Sequence, residues 1–349
     1  MEINRIEQNK SMKNKVLIVY TGGTIGMVQD ENGSLHPFAL ERIYDAVPQL
    51  KHCSYQIDSQ QLENIIDSSN MTPTFWSDIA AIIEREYERY DGFVVLHGTD
   101  TMAYTASALS FMFKNLSKPI VLTGSQLPLG MLRSDGRENI ICALEIASCK
   151  HVTIPEVCIF FESHLYRGNR STKVSAQKFD AFESFNYPSL AAAGINIVFK
   201  ENLFRPMPTK ALVVRKHFDE RVAILKLFPG ITPEVVRAVL ETPGLQGVVI
   251  ETYGSGNAPT EKWFIDALEQ AIGKGIIVMN VTQCKAGGVT MRQYAASCDM
   301  DRIGVVSGHD ITIEAAITKL MYLLGHYPQD KDHVRLRLEE NIRGELTER

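Results

Sequence analysis

The chain has 349 residues, of which 45% are hydrophobic and 22% are charged, and its formal net charge is −5. This length exceeds what one hydrophobic core ordinarily supports, and the apolar content is sufficient for two domains. Neither charge sign forms a long block, which argues against a nucleic-acid-binding protein and favours small or weakly charged partners. The six cysteines show no C-x-x-C spacing, so we expect them to be reduced core residues.

The N-terminal stretch "MEINRIEQNKSMKNK" is polar and has no apolar run before the first predicted strand. It therefore resembles neither a signal peptide nor a membrane anchor. We expect residues 1–14 to form a disordered tail and the protein to be cytoplasmic.

Short runs of β-branched residues recur along the chain, and helical patterns lie between them. Such runs are typical of buried parallel strands. The predicted strands are residues 15–20, 92–97, 119–123 and 156–161 in the first half, and 221–227, 247–251, 275–280 and 303–306 in the second.

This alternation of strands and helices predicts an α/β fold with two domains. The larger N-terminal domain, residues 15–199, should contain a mostly parallel sheet, and the smaller Rossmann-like domain should cover residues 219–349. Residues 200–218 carry two prolines and mixed charge, which predicts a linker.

The sequence predicts the N-termini of two helices. Thr72 precedes Pro73 and Thr232 precedes Pro233, and each pair places a capping residue before a proline at the first helical position. In the first of these helices, four apolar residues share one face: Phe75, Ile79, Ile82 and Ile83.

Loops of small polar residues follow the predicted strands. They read "TGGT", "HGTD" and "TGSQ" in the first half, and "TYGSGN", "TQCKAGG" and "SGHD" in the second. Open α/β sheets bind ligands at the carboxyl ends of their strands, so we expect these loops to converge on one crevice or on two that face each other.

The first of these loops, in "VYTGGTIG", does not fit a phosphate-binding loop. A dinucleotide fingerprint would need glycine where Thr21 stands, and no G-x-x-x-x-G-K-[ST] pattern occurs. The glycines could instead clear space around Thr24, whose hydroxyl would act as a nucleophile. The alternative for this segment alone is a tight turn with a capping threonine.

The second loop, "HGTDT", places Thr99 and Asp100 at the end of a strand and the start of an apolar helix. Asp100 would cap the helix or hold a substrate cation, and taken alone the capping role is favoured. Two threonine-bearing turns on separate strands of one sheet, however, favour a reactive site.

These two motifs, "TGGTI" (21–25) and "HGTDT" (97–101), resemble those of the bacterial-type L-asparaginases. Further stretches match that family between about residues 15 and 345: "IDSSNMTP" (66–73), "TGSQLP" (123–128), "LYRGNRSTK" (165–173), "YGSGNAP" (253–259) and "TQC" (282–284). The chain looks most like the cytoplasmic type I branch. The resemblance implies hydrolysis of L-asparagine to L-aspartate and ammonia without a cofactor. It also implies a homodimer or a dimer of dimers whose site is shared between subunits.

The resemblance also implies catalytic roles for individual residues. Thr24 would be the nucleophile that forms an acyl-enzyme, and Thr99, Asp100 and Lys173 would form a second cluster. Lys173 would accept a proton from Thr99, provided that burial or its neighbours favour the neutral amine. Asp100 would support that lysine and pair with the substrate α-ammonium group.

Substrate-binding positions follow in the same way. Asp67, Ser68 and Ser69 match positions that hold the α-carboxylate and α-amino ends of the substrate, although an ordinary turn is the alternative for the Ser-Ser pair. The backbone N–H of Ser125, with that of Thr24, matches an oxyanion hole. Asn257 matches a position that reaches toward the substrate of a neighbouring subunit.

The chain departs from the family pattern at two places. The segment 27–38 lacks the tyrosine that many relatives use to support the nucleophile, which leaves Ser34, His36 or Tyr294 as candidates. Glu251 stands where some type I enzymes use an arginine to bind an activating asparagine. This reversal of charge predicts hyperbolic kinetics.

Three other functions are alternatives to an asparaginase. A glutaminase, or an enzyme of mixed specificity, differs by one methylene in its substrate, which a pocket discriminates by only ~1–3 kcal/mol. The related subunit of an archaeal tRNA amidotransferase usually has an additional N-terminal domain. A non-catalytic asparagine sensor would be expected to lack a reactive group. His97 and His309 match no metal-ligand spacing, so no metal site is predicted.

Overall fold

The computed structural model describes residues 14–29, 35–37, 43–291 and 295–348. The strands of the first two hundred residues, in chain order, are β1 (Lys15–Gly22), β2 (Met27–Gln29), β3 (Leu35–Pro37), β4 (Gln56–Ile66), β5 (Gly92–Leu96), β6 (Phe113–Lys114), β7 (Ile120–Thr123), β8 (Val157–Phe161), β9 (His164–Arg167), β10 (Thr172–Lys173), β11 (Phe182–Glu183), β12 (Ala191–Ala193) and β13 (Ile197–Phe199). The remaining strands are β14 (Val213–Val214), β15 (Val222–Lys226), β16 (Gly247–Thr252), β17 (Ile277–Thr282) and β18 (Val306–Ser307). The helices are α1 (Ile43–Ala46), α2 (Pro73–Glu86), α3 (Met102–Met112), α4 (Gly136–Ala147), α5 (Pro233–Leu240), α6 (Lys262–Gly273), α7 (Ala295–Arg302), α8 (Ile313–His326) and α9 (Lys331–Glu339).

Two sheets organise the fold. The larger sheet has eight strands in the order β13-β12-β9-β8-β7-β5-β1-β4, and the smaller one has the order β15-β16-β17-β18. From β4 to β8 the larger sheet is parallel, and the strands from β9 outward are antiparallel. All pairs in the smaller sheet are parallel. The predicted α/β fold, with a large mostly parallel sheet and a smaller parallel one, is confirmed.

All eight predicted strands are present, but the sequence did not predict β4 or the antiparallel edge. β4, with the sequence QIDSQQLENII, is an edge strand, and most of its side chains are only partly buried or exposed. Its polar composition carries no apolar run, because an edge strand needs to cover little of the core. The last predicted strand, 303–306, overlaps the two-residue strand β18 only at Val306.

Helices α2 and α5 begin at the two predicted prolines. Thr72 and Thr232 occupy the N-cap positions with extended backbone, as expected, but neither side chain accepts a capping hydrogen bond. The fixed backbone angle of a proline at the first helical position therefore helps to define both starts. On α2, Ile79, Ile82 and Ile83 are buried.

The two sheets share one hydrophobic core. Helix α3, which is buried on almost every side, packs on α8 of the second domain. Their contact includes Phe111 and Tyr322, whose ring centroids lie 6.0 Å apart. Phe218, at the end of the connecting segment, approaches Trp76 of α2 at 5.4 Å. The opposite face of each sheet has a separate core, so the second domain is fixed against the first by apolar packing.

The segment 200–218 is structured rather than extended between the domains. It contains a short 3₁₀ turn (Glu201–Leu203), and β14 pairs antiparallel with β6. The Asn115 side-chain amide donates to the carbonyl of Ala211 at 3.0 Å. The exact domain boundaries remain a prediction. The predicted tail lies outside the described residues, except for Asn14.

In the part of the chain that the structure describes, no helix has both the length and the apolar character needed to cross a membrane.

Candidate active site

Glycines bring three loops into close contact at the carboxyl ends of β1 and β5. Gly22 and Gly23 have φ values of 115° and 86°, which L side chains rarely adopt. A Cβ atom on Gly23 would lie 2.5 Å from the Cα of Gly98, and one on Gly98 would lie 2.5 Å from the Oγ of Ser68. Side chains at these glycines would therefore push the loops apart. The glycines of the first motif serve this close approach.

A cleft opens where these loops meet, with about 610 Å³ of empty space. Most of its lining carries polar side chains. The lining residues are Gly23, Thr24, Asp67, Ser68, Gly98, Thr99, Asp100, Gln126, Lys173 and Ala176. The structure thus brings together the four residues predicted to be catalytic, along with two of those predicted to bind substrate.

Lys173 connects Thr99 and Asp100 at the floor of the cleft. Its Nζ donates to the Oγ1 of Thr99 at 2.8 Å and to the Oδ1 of Asp100 at 2.6 Å. The lysine side chain is only 18% exposed, whereas that of Asp100 is 65% exposed. Because Lys173 pairs with one carboxylate oxygen, the other oxygen of Asp100 is available to a cationic ligand.

Gln126 is a cleft residue that the sequence reasoning missed. The Thr99 hydroxyl donates to the Oε1 of Gln126 at 3.2 Å, and the Nε2 of Gln126 donates to the carbonyl of Lys178 at 2.9 Å. The backbone N–H of Gln126 donates to the Oδ2 of Asp135 at 2.9 Å. The family motif "TGSQLP" contains Gln126 directly after Ser125, and this position could have indicated it as a cleft residue. The Thr99 proton must turn away from Gln126 before Lys173 can accept it.

The predicted substrate-binding turn forms a short 3₁₀ segment, Ser68–Asn70. Asp67 caps it, because its Oδ1 accepts the N–H of Ser69 at 2.9 Å. Ser68 is buried in the cleft wall, and its carbonyl accepts the hydroxyl of Thr101 at 2.7 Å. Ser69 is exposed and is not among the residues that line the cleft.

Two further predicted residues lie outside the cleft lining. The hydroxyl of Ser125 is buried and donates to the carbonyl of Leu127 at 2.6 Å, so only its backbone could serve the predicted oxyanion role. Asn257 lies in a turn after β16, where its N–H donates to the carbonyl of Tyr253 at 2.8 Å. Within this one chain, the structure does not bring Asn257 to the cleft.

The three residues considered in place of the tyrosine that many relatives carry lie wholly or partly outside the described residues. Ser34 and Tyr294 lie outside the described residues. The backbone of His36 belongs to β3, and its side chain is likewise outside the description. Among the described residues, no group of three or more His, Cys, Asp or Glu side chains could hold a metal ion.

A chain of hydrogen bonds between buried side chains supports the "HGTDT" motif. The Nδ1 of His97 lies 2.6 Å from the carbonyl of Gly98, and its Nε2 lies 2.9 Å from the hydroxyl of Thr105. Since a carbonyl can only accept, Nδ1 carries the proton and Nε2 accepts from Thr105. The indole of Trp76 donates to the same hydroxyl at 3.0 Å. This arrangement fixes the Gly98 peptide next to Thr99.

Burial lowers the pKa of His97 to about 4, because the fully buried imidazole loses hydration in its charged form. In the unfolded chain, His97 takes up a proton near pH 6.5. The stability contributed by neutral His97 is therefore fully present above pH 6.5 and falls as the pH drops toward 4. We expect a loss of about 3 kcal/mol from this residue. The measurement is the free energy of unfolding in urea at intervals across this range.

His97→Gln supplies the control for this prediction, since glutamine keeps an amide donor but does not titrate. Its unfolding free energy should vary less between pH 6.5 and 4 than that of the wild type. Equal pH dependence in the two proteins would contradict the assignment.

Comparison with known proteins places the chain in a family. Residues 15–205 match the family model "Asparaginase, N-terminal", and residues 221–336 match "Glutaminase/Asparaginase C-terminal domain". The chain is 43% identical to L-asparaginase 1 of Escherichia coli, over 96% of this chain and 98% of that protein. It is also 43% identical to a 60 kDa lysophospholipase of Mus musculus, over 95% of this chain and 62% of that protein.

A solved structure agrees with these matches. The crystal structure of L-asparaginase I from Vibrio cholerae superposes with a TM-score of 0.88 at 41% identity, and the match covers 96% of this chain and 100% of that one. The motifs, the two domains and the relatives therefore coincide over nearly the full length. The chain belongs to the asparaginase family of amidohydrolases.

Proposed function

We propose that this protein is an L-asparaginase that hydrolyses L-asparagine to L-aspartate and ammonia. The observation that carries the proposal is the single cleft that joins Thr24 with the Thr99–Lys173–Asp100 cluster. A nucleophilic hydroxyl, a lysine in contact with a second hydroxyl, and an exposed carboxylate are the groups that amide hydrolysis of an amino acid requires. Family membership supports the same reaction.

In the acylation step, the Thr24 oxygen attacks the side-chain amide carbon of asparagine. The backbone N–H groups of Thr24 and Ser125 stabilise the oxyanion of the tetrahedral intermediate. The C–N bond then breaks as the proton lost by the Thr24 hydroxyl is delivered to the leaving nitrogen, ammonia departs, and a β-aspartyl ester remains on Thr24. A water molecule hydrolyses this ester and restores the threonine hydroxyl.

The second cluster serves both steps and holds the substrate. Lys173, through Thr99, transfers protons to and from the reacting groups, since its Nζ contacts the Thr99 hydroxyl at 2.8 Å. Asp100 orients Lys173 with one oxygen and offers the other to the α-ammonium group of the substrate. Asp67 and Ser68 line the cleft, where they recognise the α-amino and α-carboxylate groups, and Ser69 follows them in the same turn with its N–H bonded to Asp67.

The cellular setting is part of this proposal. The protein acts in the cytoplasm, with no nucleic acid or membrane as partner. It functions as a homodimer or a dimer of dimers, in which Asn257 of one subunit approaches the cleft of another. The position of Asn257 away from the cleft of its own chain supports such sharing.

The decisive experiment measures ammonia release from asparagine and glutamine by the purified chain. We expect a higher kcat/KM for asparagine. A higher value for glutamine would replace the proposal with a glutaminase, and asparagine binding without ammonia release would favour a sensor.

We expect Gln126→Leu to lower kcat about tenfold, because leucine removes the hydrogen bond that holds the Thr99 side chain beside Lys173. Gln126→Glu keeps an acceptor oxygen and serves as the matched variant. Steady-state kinetics at neutral pH measure both. If Gln126→Leu retained full kcat, the orienting role would be wrong.

We expect hyperbolic dependence of rate on asparagine concentration. Glu251 lines a second cavity between the domains. Its carboxylate opposes the carboxylate of an amino-acid effector at this place. A Hill coefficient clearly above one would contradict this expectation.

A further inference from the structure

Two arginines from distant parts of the chain meet in a crevice beside the C-terminal end of α3. Arg205 follows the 3₁₀ turn of the connecting segment, and Arg343 belongs to the C-terminal segment after α9. Both line a narrow crevice, together with Glu156 and Arg167. Both side chains are partly buried.

The carboxylate of Glu156 is already fully engaged by other donors. Its Oε2 accepts from the Nε of Arg167 at 2.5 Å, and its Oε1 accepts from the Nη2 of Arg167 at 3.1 Å. The same Oε1 also accepts the backbone N–H of Arg205 at 2.6 Å. Glu156 therefore neutralises Arg167 and has little capacity left for another guanidinium.

Arg205 and Arg343 have no such carboxylate. Across the described ranges, no Asp or Glu oxygen lies within 4.0 Å of either guanidinium. Both donate to one carbonyl, that of Ile342, at 3.5 Å from Arg205 and 2.6 Å from Arg343. The two cations therefore lie close together. The Nε of Arg343 is buried and has no hydrogen-bond partner among the described residues.

The surroundings leave this pair of charges uncompensated. Each neighbouring carboxylate is matched by another cation, Glu156 by Arg167 and Glu345 by Lys319. Glu345 and Lys319 lie 2.6 Å apart, and both side chains are fully buried. Partly buried charges without a partner are costly, and burial lowers the pKa of both arginines.

We propose that the Arg205–Arg343 crevice binds a small tetrahedral oxyanion of the phosphate class. Guanidinium groups present planar forks of donors that match the oxygens of such anions, and the unpartnered Nε of Arg343 supplies one donor. The bound anion would join the connecting segment and the C-terminal segment to strands β8 and β9 of the first domain. This site is separate from the cleft, and the proposal does not depend on the proposed function.

The test measures binding of inorganic phosphate to the full-length protein by isothermal titration, and the melting temperature with added phosphate or chloride at equal ionic strength. We expect phosphate at ten times its Kd to raise the melting temperature by about 2 °C relative to chloride. In Arg205→Gln and Arg343→Gln, we expect at least tenfold weaker binding. Arg89→Gln, which removes a surface arginine paired with Glu86, should bind phosphate like the wild type.

Two results would overturn the proposal. One is a phosphate effect in the wild type no larger than that of chloride. The other is equal phosphate binding in the wild type and both variants, which would mean an adventitious ion only. If a glutamine variant is too unstable to measure, the conservative variants Arg205→Lys and Arg343→Lys replace it. Lysine keeps the positive charge but lacks the planar set of guanidinium donors. Weaker phosphate binding therefore supports the site, and unchanged binding contradicts it.

Discussion

Thr24→Val is expected to lower kcat for asparagine hydrolysis by roughly 10⁴-fold, with a much smaller change in KM. Valine keeps the shape of threonine but removes the only oxygen of that side chain, so the acyl-enzyme cannot form. Binding should survive, because the groups proposed to hold the substrate belong to other loops, at Asp67 and Asp100. Steady-state ammonia release and the KM for asparagine measure the two effects separately.

Thr24→Ser is the matched control, since it retains a hydroxyl in the same 3₁₀ turn. It should retain much more activity than the valine variant. The melting temperatures of both variants should be compared with the wild type, so that loss of folding is not mistaken for loss of chemistry. A folded Thr24→Val protein with near wild-type kcat would remove Thr24 from the role of nucleophile.

Lys173→Met should lower kcat by about 10³-fold, because it removes the amine that contacts both Thr99 and Asp100. Methionine preserves much of the apolar stem of the mostly buried lysine, so the fold should tolerate the change. Lys173→Arg should not restore activity, since arginine keeps its proton in proteins and cannot act as a base. Single-turnover and steady-state rates with asparagine measure the loss.

Lys178→Met provides the control for this variant. Lys178 lies near the cleft, but only its backbone carbonyl contacts Gln126, and its residue is exposed. Its kcat should stay within about twofold of the wild type, since surface substitutions outside special features have small effects. Similar losses in Lys173→Met and Lys178→Met would indicate a general charge effect, and the proton-transfer role of Lys173 would be wrong.

The sequence predicted the parallel centre of both sheets because strands buried on two faces consist of continuous apolar runs. β5 and β8 are examples, with every residue buried. It did not predict β4, β12 or β13, which lie at or near the edge of the larger sheet. β4 is largely polar, and β12 and β13 have only three residues each. Such strands are defined by pairing with neighbours that are distant in sequence, which local patterns do not record.

The site was predictable where its motifs follow strand ends. Thr24 and Thr99 are examples, because parallel strands bring their carboxyl ends to one edge of the sheet. The contact of Lys173 with Thr99 was implied only by the family resemblance, since β10 belongs to a separate two-stranded sheet. Gln126 and the hydrogen bonds of His97 were not foreseen. Both depend on side-chain directions that follow from packing.

The packing of α3 on α8 also limits how the chain can be divided. A fragment that ends in the connecting segment would expose the apolar side of α3 around Phe111, and the complementary fragment would expose Tyr322 on α8. Exposed patches of this kind promote aggregation. Separate expression of the two halves should therefore yield insoluble material, whereas co-expression would let each half cover the other.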